Sequence, residues 1–138
     1  MILTKFITIP RLTGKEKRRA YVYVPDEARE NPDWRYPVLY MFDGHNVFFD
    51  EDATFGKSWG MAKYMKENPR DLIIVGIECN HEGNRRLIEY SPLTYDNSEH
   101  GKIKGKGNVY MNWLINTLKP YVDANYRTLP DRKHTIIA

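Results

Sequence analysis

Two continuous apolar runs constrain the fold of this chain more than any other sequence feature. Residues 38–42 (VLYMF) and 72–77 (LIIVGI) do not alternate between apolar and polar side chains, which is typical of strands buried on both faces of a parallel sheet. Between them, residues 58–66 carry apolar side chains at helical spacings, and Asn68-Pro69 ends this helix. The sequence therefore predicts a βαβ unit with a right-handed connection, within an α/β domain.

The N-terminal part of the chain predicts a hairpin followed by a loop. Residues 6–9 and 20–24 are short β-branched or aromatic runs separated by Gly14 and a charged cluster, a pattern that favours two hairpin-connected strands. Residues 25–37 contain three prolines and many polar residues, so we expect a surface loop there.

The C-terminal part predicts a long loop, a helix and one more strand. Residues 81–108 are polar and show almost no periodicity, which predicts a functional or mobile loop without regular structure. Residues 110–126 form an amphipathic stripe, for which we expect a helix broken at Pro120. Residues 134–138 (HTIIA) begin another apolar strand, without the turn and helix that usually follow a parallel strand. We therefore expect residues 1–138 to form a single α/β domain that is incomplete.

Composition and charge are compatible with one folded core and argue against nucleic-acid binding. The 138 residues are 41% hydrophobic, enough for one core, and 21 basic against 18 acidic residues give a formal charge of +3. The densest basic run is predicted to be a solvated turn: Lys15, Lys17, Arg18 and Arg19. Because the excess charge is spread over several loops, no nucleic-acid partner is predicted.

The cysteine count and the hydropathy predict a cytoplasmic protein without a membrane span. Cys79 is the single cysteine, which excludes an internal disulfide, and its place beside an apolar strand predicts a core residue. No run approaches the roughly 18 apolar residues of a membrane span, and the N-terminal sequence lacks the features of a signal peptide.

Four sequence blocks follow one another in an order that carries a family resemblance: VLYMFDGHNVF, IIVGIECN, NRRLIEYSPL, and GKGNVYMNWLINTLKPYVDANYRT leading into HTIIA. Together they resemble the putative-esterase family of α/β-hydrolases, which includes esterase D-like, feruloyl and enterochelin esterases. The resemblance implies a mostly parallel α/β-hydrolase sheet and a serine esterase that acts on a small-molecule ester through an acyl-enzyme. It implies no metal and no organic cofactor.

The resemblance also implies where the catalytic triad lies. In the family, a G-x-S-x-G turn directly after the strand equivalent to residues 134–138 carries the nucleophile, and the acid and the histidine follow later. We therefore expect this chain to be the N-terminal half of an esterase, truncated just before that turn and inactive alone. Ser58, Ser91 and Ser98 are interpreted as helix-cap and loop serines.

The segment Asp43-Gly44-His45-Asn46 directly follows the first buried strand. By its resemblance to the family, the backbone N–H of His45 is expected to enter the oxyanion hole, and Gly44 and Asn46 are expected to contact the substrate. Gly44 permits the turn and a close approach of the backbone, because it has no side chain. The alternative, which stays open, is an ordinary Asp-Gly turn at the end of a strand.

Three further groups of residues have structural and functional interpretations. A cluster after the second buried strand is expected to hold an ion pair that fixes the long loop, with substrate contact as the alternative: Arg85, Arg86, Glu89 and Tyr90. Trp59 is expected in the core, with a place in a substrate pocket as the alternative. No metal site is predicted, because the spacing of the candidate ligands matches no standard zinc motif: Cys79, His81, Glu82 and His100.

A rival interpretation belongs to a different class of protein. The chain is then a non-catalytic α/β module that binds a ligand or partner through residues 81–108. The two interpretations differ in their expected association, because an unpaired edge of a hydrolase sheet would favour self-association, whereas a soluble monomer would support the module.

Overall fold

A computed structural model describes all residues 1–138. The chain forms seven strands: β1 (Ile2–Ile7), β2 (Arg18–Tyr23), β3 (Val38–Met41), β4 (Ile73–Ile77), β5 (Thr94–Asn97), β6 (Gly101–Lys104) and β7 (Thr135–Ile137). Its α-helices are α1 (Met61–Glu67), α2 (Arg85–Tyr90), α3 (Gly107–Trp113) and α4 (Lys119–Asn125), with a π-helical turn at Leu114–Leu118 between α3 and α4. Three short 3₁₀ turns are Asp26–Arg29, Gly44–Asn46 and Arg132–His134.

Five strands form one mixed sheet in the order β1-β2-β4-β3-β7. β1 and β2 are an antiparallel hairpin, and β2 is also antiparallel to β4. β3 runs parallel to both β4 and β7. The predicted α/β fold and the unit formed by β3, α1 and β4 are thus confirmed. The parallel character is confined to β4, β3 and β7.

Both faces of the sheet are covered, which explains the two continuous apolar runs. On one face, side chains of α3, the π turn and α4 pack into a cluster of 15 buried residues together with inward-facing residues of β2, β3 and β4. On the other face, α1 and the segment after β3 contribute to a second cluster of 6 buried residues. All five residues of β4 are buried, as expected for a strand at the centre of a two-sided core.

The long C-terminal helix is widened at Pro120 and not broken there, so the predicted break is wrong. Proline has no N–H, and its ring crowds the carbonyl one turn earlier. The chain relieves this crowding with the π turn at Leu114–Leu118, in which the N–H of Lys119 bonds to the carbonyl of Leu114. Pro120 then lies in the first turn of α4, where a missing donor costs little.

The prediction of an unstructured segment at 81–108 is wrong. This segment contains α2 and the antiparallel hairpin of β5 and β6, with Gly101 at a φ of 69° where the hairpin turns. Both elements are too short to give a clear periodic pattern. β1 also begins earlier than predicted, because its pairing with β2 extends back to Ile2 opposite Tyr23.

Two side chains lie in environments opposite to those predicted. Arg18 is 2% exposed and belongs to β2, so it is not part of a solvated turn. Trp59 is 56% exposed and therefore not a core residue, because it lies before α1 begins at Met61 and not on the buried face of that helix. Cys79 is buried as expected. The structure contains no helix that is both long and apolar enough to span a bilayer.

Candidate functional site

The parallel strands β3 and β4 end side by side, and the segments that follow them face a common cavity of about 410 Å³. We call it the strand-end cavity; its lining residues are Asp43, His45, Asn46, Thr54, Phe55, Cys79, Asn80, His81, Gly83 and Arg86. Open α/β sheets commonly bind ligands at the carboxyl ends of their strands. Two of the three residues expected at the site, His45 and Asn46, line this cavity.

The backbone after β3 makes a tight turn that is pressed against β4. Asp43 has a φ of 51°, and Gly44–Asn46 then form a single 3₁₀ turn. A Cβ atom at Gly44 would lie 2.3 Å from the backbone carbon of Gly76 in β4. The expected close approach at Gly44 is therefore present, while the left-handed conformation that the turn requires falls on Asp43.

Asp43 is held in this conformation by α2. Arg86 donates to both carboxylate oxygens, from Nε to Oδ1 at 2.9 Å and from Nη2 to Oδ2 at 2.6 Å. The hydroxyl of Tyr90 accepts from the backbone N–H of Asp43 at 3.2 Å. Burial raises the pKa of the Asp43 carboxyl, but the hydrogen bonds and charge of Arg86 outweigh it, so the pKa is lowered overall.

The backbone N–H of His45 makes no hydrogen bond within the protein, whereas those of Asn46 and Val47 bond to carbonyls inside the turn. A buried backbone donor without a partner is uncommon in folded proteins. The residue itself is 2% exposed, and its N–H belongs to the turn that borders the strand-end cavity. Among the donors of this turn, the N–H of His45 thus has no partner within the protein.

The imidazole of His45 is buried beside a second histidine. Its Nε2 lies 2.9 Å from Thr54 Oγ1, and its Nδ1 is buried without a partner. The ring makes an edge-to-face contact with His81 at a centroid distance of 4.4 Å. Burial, and then the neighbouring charge of His81, lower the pKa of His45, which favours the neutral imidazole.

An ionic network on β2 and β4 lies beside these histidines. Glu78 accepts from the backbone N–H and guanidinium of Arg19, and lies 2.9 Å from His81 Nε2. Burial raises the pKa of Glu78, but the hydrogen bonds from Arg19 dominate and lower it to about 2. Arg19 also pairs with Asp52, which accepts from the hydroxyl of Tyr21 at 2.8 Å. Sequence reasoning missed this network because its members are distant in the chain.

The expected ion pair of α2 exists, but with different partners. Glu89 pairs with Arg18 of β2, where Nη1 and Oε2 are 3.0 Å apart, and both side chains are almost fully buried. Glu89 also accepts from the N–H of Asn80 at 3.2 Å. Arg85 makes a separate exposed pair with Glu82. The predicted pairing within the cluster is therefore wrong: Glu89 and Arg86 have long-range partners, because α2 docks on the strand ends.

Ser58 lies in a sequence motif that its interpretation as a helix-cap serine does not take into account. Gly56-Lys57-Ser58-Trp59-Gly60 reads G-x-S-x-G, the pattern of a nucleophile turn. In the structure it lies in the loop between β3 and α1 and not at a strand-to-helix turn. Ser58 Oγ donates to Asp50 Oδ1 at 2.8 Å and accepts from the N–H of Gly60 at 3.3 Å, and it makes no hydrogen bond to a histidine. Ser58 is therefore a loop serine, and the N-cap residue of α1 is Gly60.

The two other serines match their interpretation. Ser91 follows α2 at its C-cap position, where its hydroxyl donates to the carbonyl of Leu93 at 2.9 Å. Ser98 lies in the turn between β5 and β6.

Metal-binding side chains meet in the strand-end cavity in a combination that the sequence spacing does not indicate. One ligand atom from each of His45, Cys79 and His81 lies within 4.8 Å of the other two. Burial raises the pKa of the Cys79 thiol to about 12. Glu82 and His100 lie outside this group.

The profile of the family described as "Putative esterase" matches residues 12–138. The chain belongs to this family. The family assignment agrees with the fold, in which the parallel strands β3 and β4 open onto the cavity. It also agrees with the order of the four sequence blocks, so the resemblance seen in the sequence is confirmed.

Solved structures with the same fold include several hydrolases and esterases. An IroE-like serine hydrolase from Shewanella oneidensis matches with a TM-score of 0.66 and 22% identity, covering 93% of this chain and 40% of that one. The enterobactin and salmochelin hydrolase IroE matches with a TM-score of 0.60 and 20% identity, covering 99% and 50%. A ferulic acid esterase from Anaeromyces mucronatus matches with a TM-score of 0.54 and 23% identity, covering 99% and 47%. The chain thus spans half or less of the length of these structures.

Proposed function

We propose that residues 1–138 supply the oxyanion-binding half of a serine carboxylic-ester hydrolase that works through an acyl-enzyme. The observation that carries this proposal is the unused backbone N–H of His45 at the carboxyl ends of β3 and β4. In an α/β-hydrolase, one donor of the oxyanion hole comes from the loop after this strand, and the second is the N–H of the residue after the nucleophile. Two such donors stabilise the charge that develops on the tetrahedral intermediate.

Gly44 and Asn46 contribute to substrate binding in different ways. Gly44 contributes by its lack of a side chain, since its contact with Gly76 holds the turn against β4 and fixes the direction of the His45 N–H. Asn46 lines the strand-end cavity, and its Oδ1 accepts from the N–H of Thr54 at 3.0 Å. This contact orients the amide and leaves its NH₂ group to donate to a small-molecule ester.

The 138-residue polypeptide has no esterase activity by itself under this proposal. The family places its nucleophile in the turn that follows the strand equivalent to β7. Ser58 lacks the histidine that would accept its proton and is bonded instead to Asp50. Because the second oxyanion donor accompanies the nucleophile, His45 alone would also give no measurable rate over water.

The test compares p-nitrophenyl acetate hydrolysis by two purified polypeptides, residues 1–138 alone and the same residues continued to the full length of the family domain. We expect turnover only in the longer polypeptide, with Ser58→Ala as a matched variant that leaves the rate unchanged. A fluorophosphonate probe followed by peptide mass mapping should label a serine outside residues 1–138. Label on Ser58, or loss of activity in Ser58→Ala, would show that the nucleophile assignment is wrong.

A further inference from the structure

Three side chains with metal-binding atoms converge at the ends of β3 and β4. His45 follows β3, whereas Cys79 and His81 follow β4, so the parallel pairing of the two strands brings them together. His45 and Cys79 are 2% and 3% exposed, and the side chain of His81 is 47% exposed towards the cavity. The group therefore has two fixed members and one member that can adjust.

Each imidazole has one nitrogen engaged and one nitrogen free. The Nε2 of His45 is bonded to Thr54, while its Nδ1 is buried without a partner, which is unfavourable for a polar atom. The Nε2 of His81 faces the carboxylate of Glu78 at 2.9 Å. This contact engages Nε2 and leaves the Nδ1 of His81 without a hydrogen bond inside the protein.

We propose that His45 Nδ1, the Cys79 thiolate and His81 Nδ1 bind a Zn²⁺ ion, with a fourth position open to the strand-end cavity. One sulfur and two imidazole nitrogens form a ligand set that suits Zn²⁺ and disfavours Mg²⁺ and Ca²⁺, which prefer oxygen. Zn²⁺ binding breaks the S–H bond of Cys79, forms a Zn–S bond and releases the proton to solvent.

Zn²⁺ binding requires the three ligand atoms to move closer together. Tetrahedral Zn²⁺ with bonds of about 2.0 Å to nitrogen and about 2.3 Å to sulfur places its ligand atoms roughly 3.3–3.5 Å apart. One ligand atom from each of the three residues lies within 4.8 Å of the other two. His81, which is half-exposed in the loop after β4, is the ligand with the most freedom to move towards the other two.

The surroundings supply the supporting contacts that metal ligands usually have. The carboxylate of Glu78 orients His81, and the hydroxyl of Thr54 orients His45, as outer contacts do in histidine metal sites. The nearest carboxylates, Asp43 and Glu78, are each neutralised by an arginine. The negative charge that balances the cation therefore comes from Cys79, which loses its proton when the metal binds.

Equilibrium binding of Zn²⁺ to the purified 138-residue protein tests the site, by competition with a chromophoric chelator. We expect His81→Gln and Cys79→Ser each to weaken binding by more than about tenfold. His100→Gln is the matched control, since His100 lies in the distant β5–β6 turn, and it should bind as the unmodified protein does. Replacement by Co²⁺ should produce the near-ultraviolet absorption of a thiolate–cobalt bond, and Cys79→Ser should abolish it.

Equal Zn²⁺ affinity in His81→Gln and His100→Gln, or a cobalt complex without the thiolate band, would overturn the proposal. Because the side chain of His81 is half-exposed, His81→Gln should keep the fold, which far-ultraviolet circular dichroism verifies. The affinity of His81→Gln therefore tests the proposal even if Cys79→Ser does not fold. The readouts are metal affinity and absorption, not ester hydrolysis. The proposal can therefore fail or succeed independently of the proposed esterase function.

Discussion

Gly44 shows how one residue without a side chain sets the position of a whole turn. Its Cα lies 3.0 Å from where a Cβ at Gly76 would be, so two backbones meet with no side chain between them. Gly76 interrupts a β-branched strand at the point where this contact occurs. The pair explains why β4 contains a glycine in its buried interior, where glycine otherwise weakens a strand.

Replacing Gly44 with alanine should destabilise the protein by about 3 kcal/mol, the upper part of the usual range for overpacking. The added methyl would collide with backbone atoms of Gly76 and Ile77, which cannot move aside as a side chain does. Gly83→Ala is the control, because a Cβ there meets nothing within 4 Å and costs only the strain of a φ of 54°, roughly 1 kcal/mol. Urea unfolding measures both, and equal losses would contradict the argument.

Ser58 should prove to be a structural partner of Asp50. The backbone N–H of Ser58, and then its hydroxyl, lower the pKa of the Asp50 carboxyl below its usual value. A lowered folded-state pKa adds stability above the unfolded-state pKa, and this stability is lost as the pH falls through the folded-state value. Carboxyl titration by NMR should show that Ser58→Ala moves the pKa of Asp50 upward. Lys57→Gln should have the smaller effect, and an unchanged pKa in Ser58→Ala would refute this role.

At the residue scale, the sequence predicts local backbone features better than it predicts which distant residues come into contact. The position of the turn after β3 and the close approach at Gly44 follow from a strand that ends in Asp-Gly. Its contact with Gly76 and its anchor on Arg86 depend on which strands become neighbours, so no local pattern contains them. The G-x-S-x-G motif around Ser58 shows that a local motif can also mislead, because it is not located at the strand-to-helix turn that a nucleophile requires.

Helix α2 is joined to the sheet by a buried ion pair in addition to its contacts with Asp43. The helix has only six residues, too few to be stable by itself in water. The pair of Arg18 and Glu89 joins it to β2 with both charges almost fully buried. Removing one partner of such a pair leaves the other charged and desolvated.

Glu89→Ala should therefore cost about 3–5 kcal/mol of stability, as expected for a broken buried pair. Glu82→Ala, which breaks the exposed pair with Arg85 at the start of the same helix, should cost under about 1 kcal/mol. Thermal and urea unfolding of the two variants provide the comparison. Similar losses in both would mean that the buried pair does not anchor α2.

At the element scale, prediction succeeds where burial is two-sided and fails where an element depends on distant contacts. β3 and β4 were predictable because both of their faces enter a core, which makes their sequences continuously apolar. α2 and the β5–β6 hairpin were not, since a buried ion pair and a single turn stabilise them in place of an apolar stripe. The π turn before Pro120 was also hidden, because a proline in a helical pattern predicts a break as readily as a widened turn.

For the molecule as a whole, the two edges of the sheet differ in character. β1 forms one edge, where residues 4–6 in its middle are exposed and the residues at its two ends are half-buried. β7 forms the other edge, where Ile136 and Ile137 remain 47% and 44% exposed although β7 is parallel to a central strand. An apolar edge strand with free backbone groups is a template for pairing with another chain.

We therefore expect the 138-residue polypeptide to self-associate through β7 as its concentration rises. A charged residue on an edge strand opposes such pairing, so Ile136→Lys should shift the protein towards the monomer in sedimentation velocity. Phe6→Lys on β1 is the matched control, since Phe6 is 64% exposed on the opposite edge and its replacement should leave the association unchanged. A monomer at all concentrations would exclude the interaction, whereas an equal response to both variants would mean that the exposed apolar surface associates without preference for β7.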